Sequence, residues 1–255
     1  MANKHGDFIW YELLTSDPDA AQEFYGPVLG WSFSGSGQPG MDYRIISMGT
    51  EGVGGIMKMT DGAPMPPCWL GYIGVDDVDA KAAQIRAAGG AVHMEPQDIP
   101  GVGRFAFVAD PQGVMFYIMK GASDGTSLAF AADHPRPGHC AWNELATTDQ
   151  NAALDFYTGQ FGWQKDGEMD MGAMGTYEFL RHGSVIGALM TKTPDQPIPA
   201  WTYYFRVPDI DAAVETVNAK GGRIVHGPSE VPGGDFIING FDPQGAAFAL
   251  VGARP

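Results

Sequence analysis

The chain has 255 residues, 44% of them hydrophobic, which allows two ordinary domains with real cores and excludes a disordered protein. Its formal net charge of −15 repels phosphate backbones, so nucleic acid is excluded as an expected partner, whereas neutral or cationic ligands are favoured. Two cysteines, Cys68 and Cys140, provide no disulfide framework, and no run reaches the roughly 18 apolar residues of a membrane span. With no apolar signal core in MANKHGDF, a cytoplasmic protein with no membrane partner is expected.

Residues 7–14 alternate aromatic and aliphatic side chains and predict a strand. Asp17-Pro18 supplies an N-cap and an N1 proline. Ala21, Phe24, Tyr25 and Val28 then fall on one helix face, and Gly30 closes the helix. Tyr43–Met48 and Val53–Met59 are strand-like, with Gly52–Gly55 a hairpin or bulge. Asp61–Pro67 is a proline-rich break. Trp69–Val75 is a further strand, and Asp77 caps a helix carrying Ala82, Ile85 and Ala88 that Gly89 stops. Val92–His93 is expected as a short strand and Gln97–Gly103 as a loop. Arg104–Ala109 and Val114–Met119 form a hairpin around Asp110-Pro-Gln-Gly113.

The plan then repeats. GDFIWYELLTSDPDAAQEFYGPVLGW, Gly6 to Trp31, returns as GHCAWNELATTDQNAALDFYTGQFGW, Gly138 to Trp163, 132 positions later. The same spacing joins Trp69 to Trp201, Tyr72 to Tyr204, Gly55 to Gly187, and Asp110-Pro-Gln-Gly113 to Asp242-Pro-Gln-Gly245. Tyr43 pairs with Tyr177, two residues out of register. Helices are expected near 150–160 and 210–220. The organisation is thus a first domain over 1–120, a linker over 121–137 and a second domain over 138–255, each domain βαβββ-βαβββ.

Four βαβββ units, a strand–Asp–helix–Gly-Trp opening and DPxG before the last strand resemble the vicinal oxygen chelate superfamily of glyoxalases, bleomycin-resistance proteins and extradiol dioxygenases. The W-x-E-L opening, PCWLGYIGVDDVD and DIPGVGRFAFVADPQG look like a two-domain glyoxalase-like group often labelled hydroxylase. The resemblance implies an α+β fold: tandem duplicated glyoxalase-like domains, whose four modules form two curled-sheet cups. It also implies one divalent metal held by His or carboxylate groups. Carried over position by position, those ligands fall on Trp10, Met57, Leu70 and Tyr117, and on Trp142, Leu189, Thr202 and Ala249. None is a His, Asp, Glu or Cys, so no metal ligand and no cofactor are expected.

Period-two alternation puts Glu12 on the face of Trp10 and Glu144 on the face of Trp142. Those glutamates are the candidate catalytic or structural groups. Trp10, Tyr72, Tyr117, Trp142 and Tyr204 are the candidate ligand-binding aromatics, because an apolar wall with few polar groups suits an organic guest. The histidines offer less. His5 lies near a floppy terminus, His134 in the linker, His93 and His226 on surface strands, and odd spacing turns His139 away from Trp142. His182 lies four residues from Glu178, on a strand and turn. Three functions remain open: a metal-free protein binding a small hydrophobic or cationic molecule, an enzyme using Glu12 or Glu144 as proton carrier, and a lyase or dioxygenase with a rearranged metal site. The duplication makes a pseudo-dimer, either monomeric or paired as a homodimer.

Overall fold

The structure is a computed structural model describing residues 3–38, 40–60, 62–63, 65–131 and 135–255. It is α+β, built from four βαβββ modules. The first module holds β1 (Phe8–Thr15), α1 (Pro18–Leu29), β2 (Ser32–Gly35), β3 (Tyr43–Met48) and β4 (Glu51–Lys58). The second holds β5 (Cys68–Gly74), α2 (Val78–Ala87), β6 (Ala91–Ile99), β7 (Gly103–Ala109) and β8 (Met115–Gly121). The third holds β9 (Cys140–Thr147), α3 (Gln150–Phe161), β10 (Gln164–Asp170), β11 (Thr176–His182) and β12 (Ser184–Thr191). The fourth holds β13 (Ala200–Val207), α4 (Ile210–Ala219), β14 (Arg223–Glu230), β15 (Phe236–Phe241) and β16 (Ala247–Gly252). Two eight-stranded sheets run in the orders β2-β3-β4-β1-β5-β8-β7-β6 and β10-β11-β12-β9-β13-β16-β15-β14.

Helix ends follow the capping expected from sequence. Asp17 accepts from Ala20 N, Pro18 takes the first turn, and Gly30 ends α1 at φ 72°. Asp149 and Gly162 repeat the arrangement around α3. The region after α2 departs from expectation. β6 runs for nine residues through Pro96, where a short strand and then a loop are expected. It is the last strand of its sheet and breaks register on both sides of Met94, so a residue without an N–H is tolerated there. The four-residue β2 gives no alternation in sequence and depends on pairing with β3.

The chain divides into two compact units that interleave the copies. One contains residues 1–9, 71–127 and 142–201; the other contains 10–70, 128–141 and 202–255. Each therefore joins a module of the first copy to a module of the second. In the unit holding the first and fourth modules, the Trp69 indole donates to Tyr25 Oη (3.1 Å), and that phenol donates to Asp242 Oδ2 (3.0 Å). In the unit holding the second and third, Trp201 donates to Tyr157 (3.0 Å) and Tyr157 donates to Asp110 Oδ2 (3.1 Å). The DPxG aspartates also accept from the backbone of their own turns. Burial pushes both carboxyls above the usual aspartate range, and these donors pull them partly back.

Candidate functional site

β1 divides its side chains between two environments. Tyr11 and Leu13 are fully buried, with Tyr11 packed on Tyr203 at 5.0 Å and Phe205 at 5.7 Å. Trp10 and Glu12 face the other way, as period two requires. There the Trp10 indole donates to Tyr43 Oη (2.7 Å). The Cα partner of Glu12 on β4 is Gly55, and a Cβ on Gly55 would overlap the Tyr43 hydroxyl. The phenol thus lies in a glycine notch on the face that carries Glu12, and Glu12 is only 1% exposed. Close by, burial first and the charge of Glu12 second push the Cys68 thiol up to about 12, so it stays protonated near neutral pH.

The third module repeats the constellation. Trp142 donates to Tyr177 Oη (2.8 Å), and Tyr177 donates to Glu144 Oε2 (2.7 Å). Indole, phenol and carboxylate form one directed chain, each oxygen accepting from the group before it. The wall around it contains Met169, Met171, Phe179, Ala188 and Met190. Phe179 meets Trp142 and Tyr177 edge-on at 6.1 and 5.7 Å. Glu144 is half-buried, not sealed.

The β12 register corrects the sequence alignment. Gly187 meets the Asn143 carbonyl as Gly54, not Gly55, meets that of Tyr11. Ala188 is then the partner of Glu144, where Gly55 is the partner of Glu12. The offset on this strand is therefore 133, and the counterpart of Met57 is Met190 instead of Leu189. Tyr43 and Tyr177 were visible in sequence only as a slipped pair. Their bonds to the tryptophans make them part of the site.

The remaining candidate aromatics diverge between copies. Tyr72 and Tyr117 are register partners on β5 and β8 and stack at 4.3 Å with an 18° interplanar angle, flanked by Phe107 at 4.8 Å. Tyr204 instead faces Ala249 across β13 and β16, and its hydroxyl accepts from Asn239 Nδ2 (3.3 Å).

His5, His139 and His182 each meet different partners. His5 Nε2 lies 2.9 Å from the Gln160 carbonyl. His139 is buried, with Nδ1 2.6 Å from the Leu128 carbonyl and Nε2 3.5 Å from Glu51. His182 pairs with Asp7 (3.3 Å), while Glu178 takes Lys165 (2.6 Å), so those two residues do not converge. His93 and His226 are exposed on β6 and β14, and His134 lies outside the described residues. Among the described residues, no three His, Cys, Asp or Glu groups are placed to hold a metal ion. The donor set of the described residues does not fit the divalent metal that the resemblance implies. A depression of about 300 Å³ beside α1, lined by Gln22, Ser34, Asp42, Tyr43 and Arg44, is polar, and its Arg44 is held by Asp19 and Asp42.

Against known proteins, the family model for the Glyoxalase/Bleomycin resistance protein/Dioxygenase superfamily matches residues 8–118 and 136–250. The anthracycline biosynthesis protein DnrV of Streptomyces peucetius is 30% identical, over 96% of this chain and 92% of its own length. The putative glyoxylase CFP32 of Mycobacterium tuberculosis is 46% identical over 48% of this chain and 47% of its own. Among solved structures, the Mn(II)-bound glyoxalase from Novosphingobium aromaticivorans superposes with a TM-score of 0.67 at 18% identity, covering 100% of this chain and 84% of that one. The 2,2',3-trihydroxybiphenyl 1,2-dioxygenase from Sphingomonas wittichii gives 0.69 at 13% identity, with 98% and 91% covered. At such identities the likeness is one of fold.

Proposed function

Because the chain belongs to the glyoxalase/bleomycin resistance protein/dioxygenase superfamily, in which one fold carries many chemistries, we propose from its own residues that it binds a small, flat, hydrophobic or cationic organic molecule without the superfamily metal. The Trp142–Tyr177–Glu144 chain beside a methionine-rich wall carries this reading. Thioether and aromatic groups offer deformable apolar contact. The carboxylate supplies one polar anchor whose direction the tyrosine fixes. A net charge of −15 adds long-range attraction for cations.

The test is a titration of the full-length protein, purified without added metal, with an amine-bearing planar dye such as proflavine, followed by tryptophan fluorescence and calorimetry. Saturable binding that chelator leaves unchanged is expected. Stoichiometric tightly held metal, together with a chelator-induced fall in melting temperature, would overturn the metal-free reading.

A second reading is favoured by the DnrV likeness over nearly the whole chain. In it the chain acts on a small aromatic metabolite, and Glu144 or Glu12 takes a proton from the bound substrate. Glu144→Gln would then abolish turnover while leaving substrate affinity within a few fold.

A further inference from the structure

Duplicated sites invite the assumption that both copies do the same thing. The two carboxylates here occupy equivalent strand positions yet meet different surroundings, and the cause is one residue on the neighbouring strand. Paired residues on adjacent strands point to the same face. Opposite Glu12 that face is empty at Gly55, and Tyr43 fills the space with its hydroxyl end. The result is a Tyr43 that is partly exposed as a residue and a Glu12 that is sealed. Opposite Glu144 the face carries the Ala188 methyl, fully buried against Tyr177 and Met190. A methyl there excludes the position that Tyr43 takes. Tyr177 lies in the buried cluster with Ala188, its hydroxyl donates to Glu144 Oε2, and Glu144 stays partly exposed. The next strand adds to the contrast. Cys68 lies near enough to feel the charge of Glu12, and its counterpart Ala200 presents no sulfur to Glu144.

We propose that the copies have divided their roles: Glu144 is the ligand-facing carboxylate, Glu12 is a sheet-locking one, and the Gly55/Ala188 difference sets which is open. This assignment rests on the binding reading above for the word ligand. The accessibility on which it turns is independent of any ligand. It also identifies residue 188 as a specificity determinant, because its methyl fixes how far the phenol settles and hence how much room remains beside the carboxylate. A carboxylate sealed from water depends wholly on the neighbours that replace its solvation, so altering it costs more stability than altering a half-buried one.

The experiment is carbodiimide-driven coupling of glycinamide to the native full-length protein, read by peptide mass spectrometry. Glu144 should couple severalfold faster than Glu12; equal or reversed rates overturn the proposal. Ala188→Gly, which opens the notch to Tyr177, should slow coupling at Glu144. Gly55→Ala, which expels Tyr43, should speed it at Glu12. No change in either variant overturns the role given to this position. If Gly55→Ala does not fold, Ala188→Gly still decides, since removing a methyl at an ordinary backbone conformation introduces no clash. In a second arm, Glu144→Gln should weaken proflavine binding, and Glu12→Gln should lower the melting temperature more than Glu144→Gln does. Stronger weakening by Glu12→Gln overturns the division of roles. A wild-type protein that binds no proflavine while coupling as expected at Glu144 defeats the cationic-ligand reading and leaves the division of roles standing.

Discussion

Tyr177 accepts from an indole and donates to a carboxylate, so removing its oxygen orphans two groups at once. Tyr177→Phe should therefore cost about 1–3 kcal/mol in urea denaturation, more than the loss of one average hydrogen bond. It should also free Glu144 to rotate, which relaxes discrimination between cationic and neutral guests of the same shape. At this scale the sequence was legible where the signal is periodic. Trp10 with Glu12, and Trp142 with Glu144, share a face simply because strands alternate. The tyrosine partners were visible as a slipped pair, but their bonds were not, since a slip says nothing about which oxygen an indole will reach. Residue 188 was misaligned because two adjacent glycines in the first copy, Gly54 and Gly55, answer to a single Gly187 in the second.

Among elements, the helices were read closely because their ends are fixed by local chemistry, an aspartate cap before and a glycine after. β6 was misread because a proline and scattered polar residues mimic a loop; its being a strand depends on β7, which local sequence does not report. The link from α1 to the DPxG turn of the fourth module gives a prediction with a defined sign. Burial makes Asp242 ionise later in the folded chain than its ordinary value of 3.8, so its contribution to stability is greatest in acid and declines as pH rises through the folded pKa. Tyr25 donates to the ionised form and limits that decline. Tyr25→Phe should push Asp242 up further. Its penalty, about 1–2 kcal/mol near neutral pH, should shrink as the pH falls toward about 4 and the carboxyl protonates. Chemical denaturation at the two pH values measures this; a penalty independent of pH would assign the loss to packing alone. Tyr157→Phe should behave alike through Asp110, whose environment is equivalent.

For the whole molecule, the repeat was legible from its 132-residue spacing, but the way the copies combine was not. Tyr25 and Tyr157 precede equivalent aspartates, Asp110 and Asp242, and nothing in the sequence says whether a tyrosine bonds within its own copy or across to the other. The folded chain takes the crossed choice in both units. Covalent continuity between copies is then not what keeps each unit together. Residues 121–126 are exposed and join the two copies, so a protease site placed after Gly125 can be cut without touching either tyrosine–aspartate link. The nicked protein should elute as one species of the intact 27.2 kDa mass. The halves should separate only in denaturant, because each unit keeps modules from both fragments. Dilution should lower the melting temperature of the nicked protein but not of the intact one, since association has become bimolecular. Separation of the two halves in native buffer would show that each copy closes on itself, contrary to the crossed tyrosine–aspartate pairs.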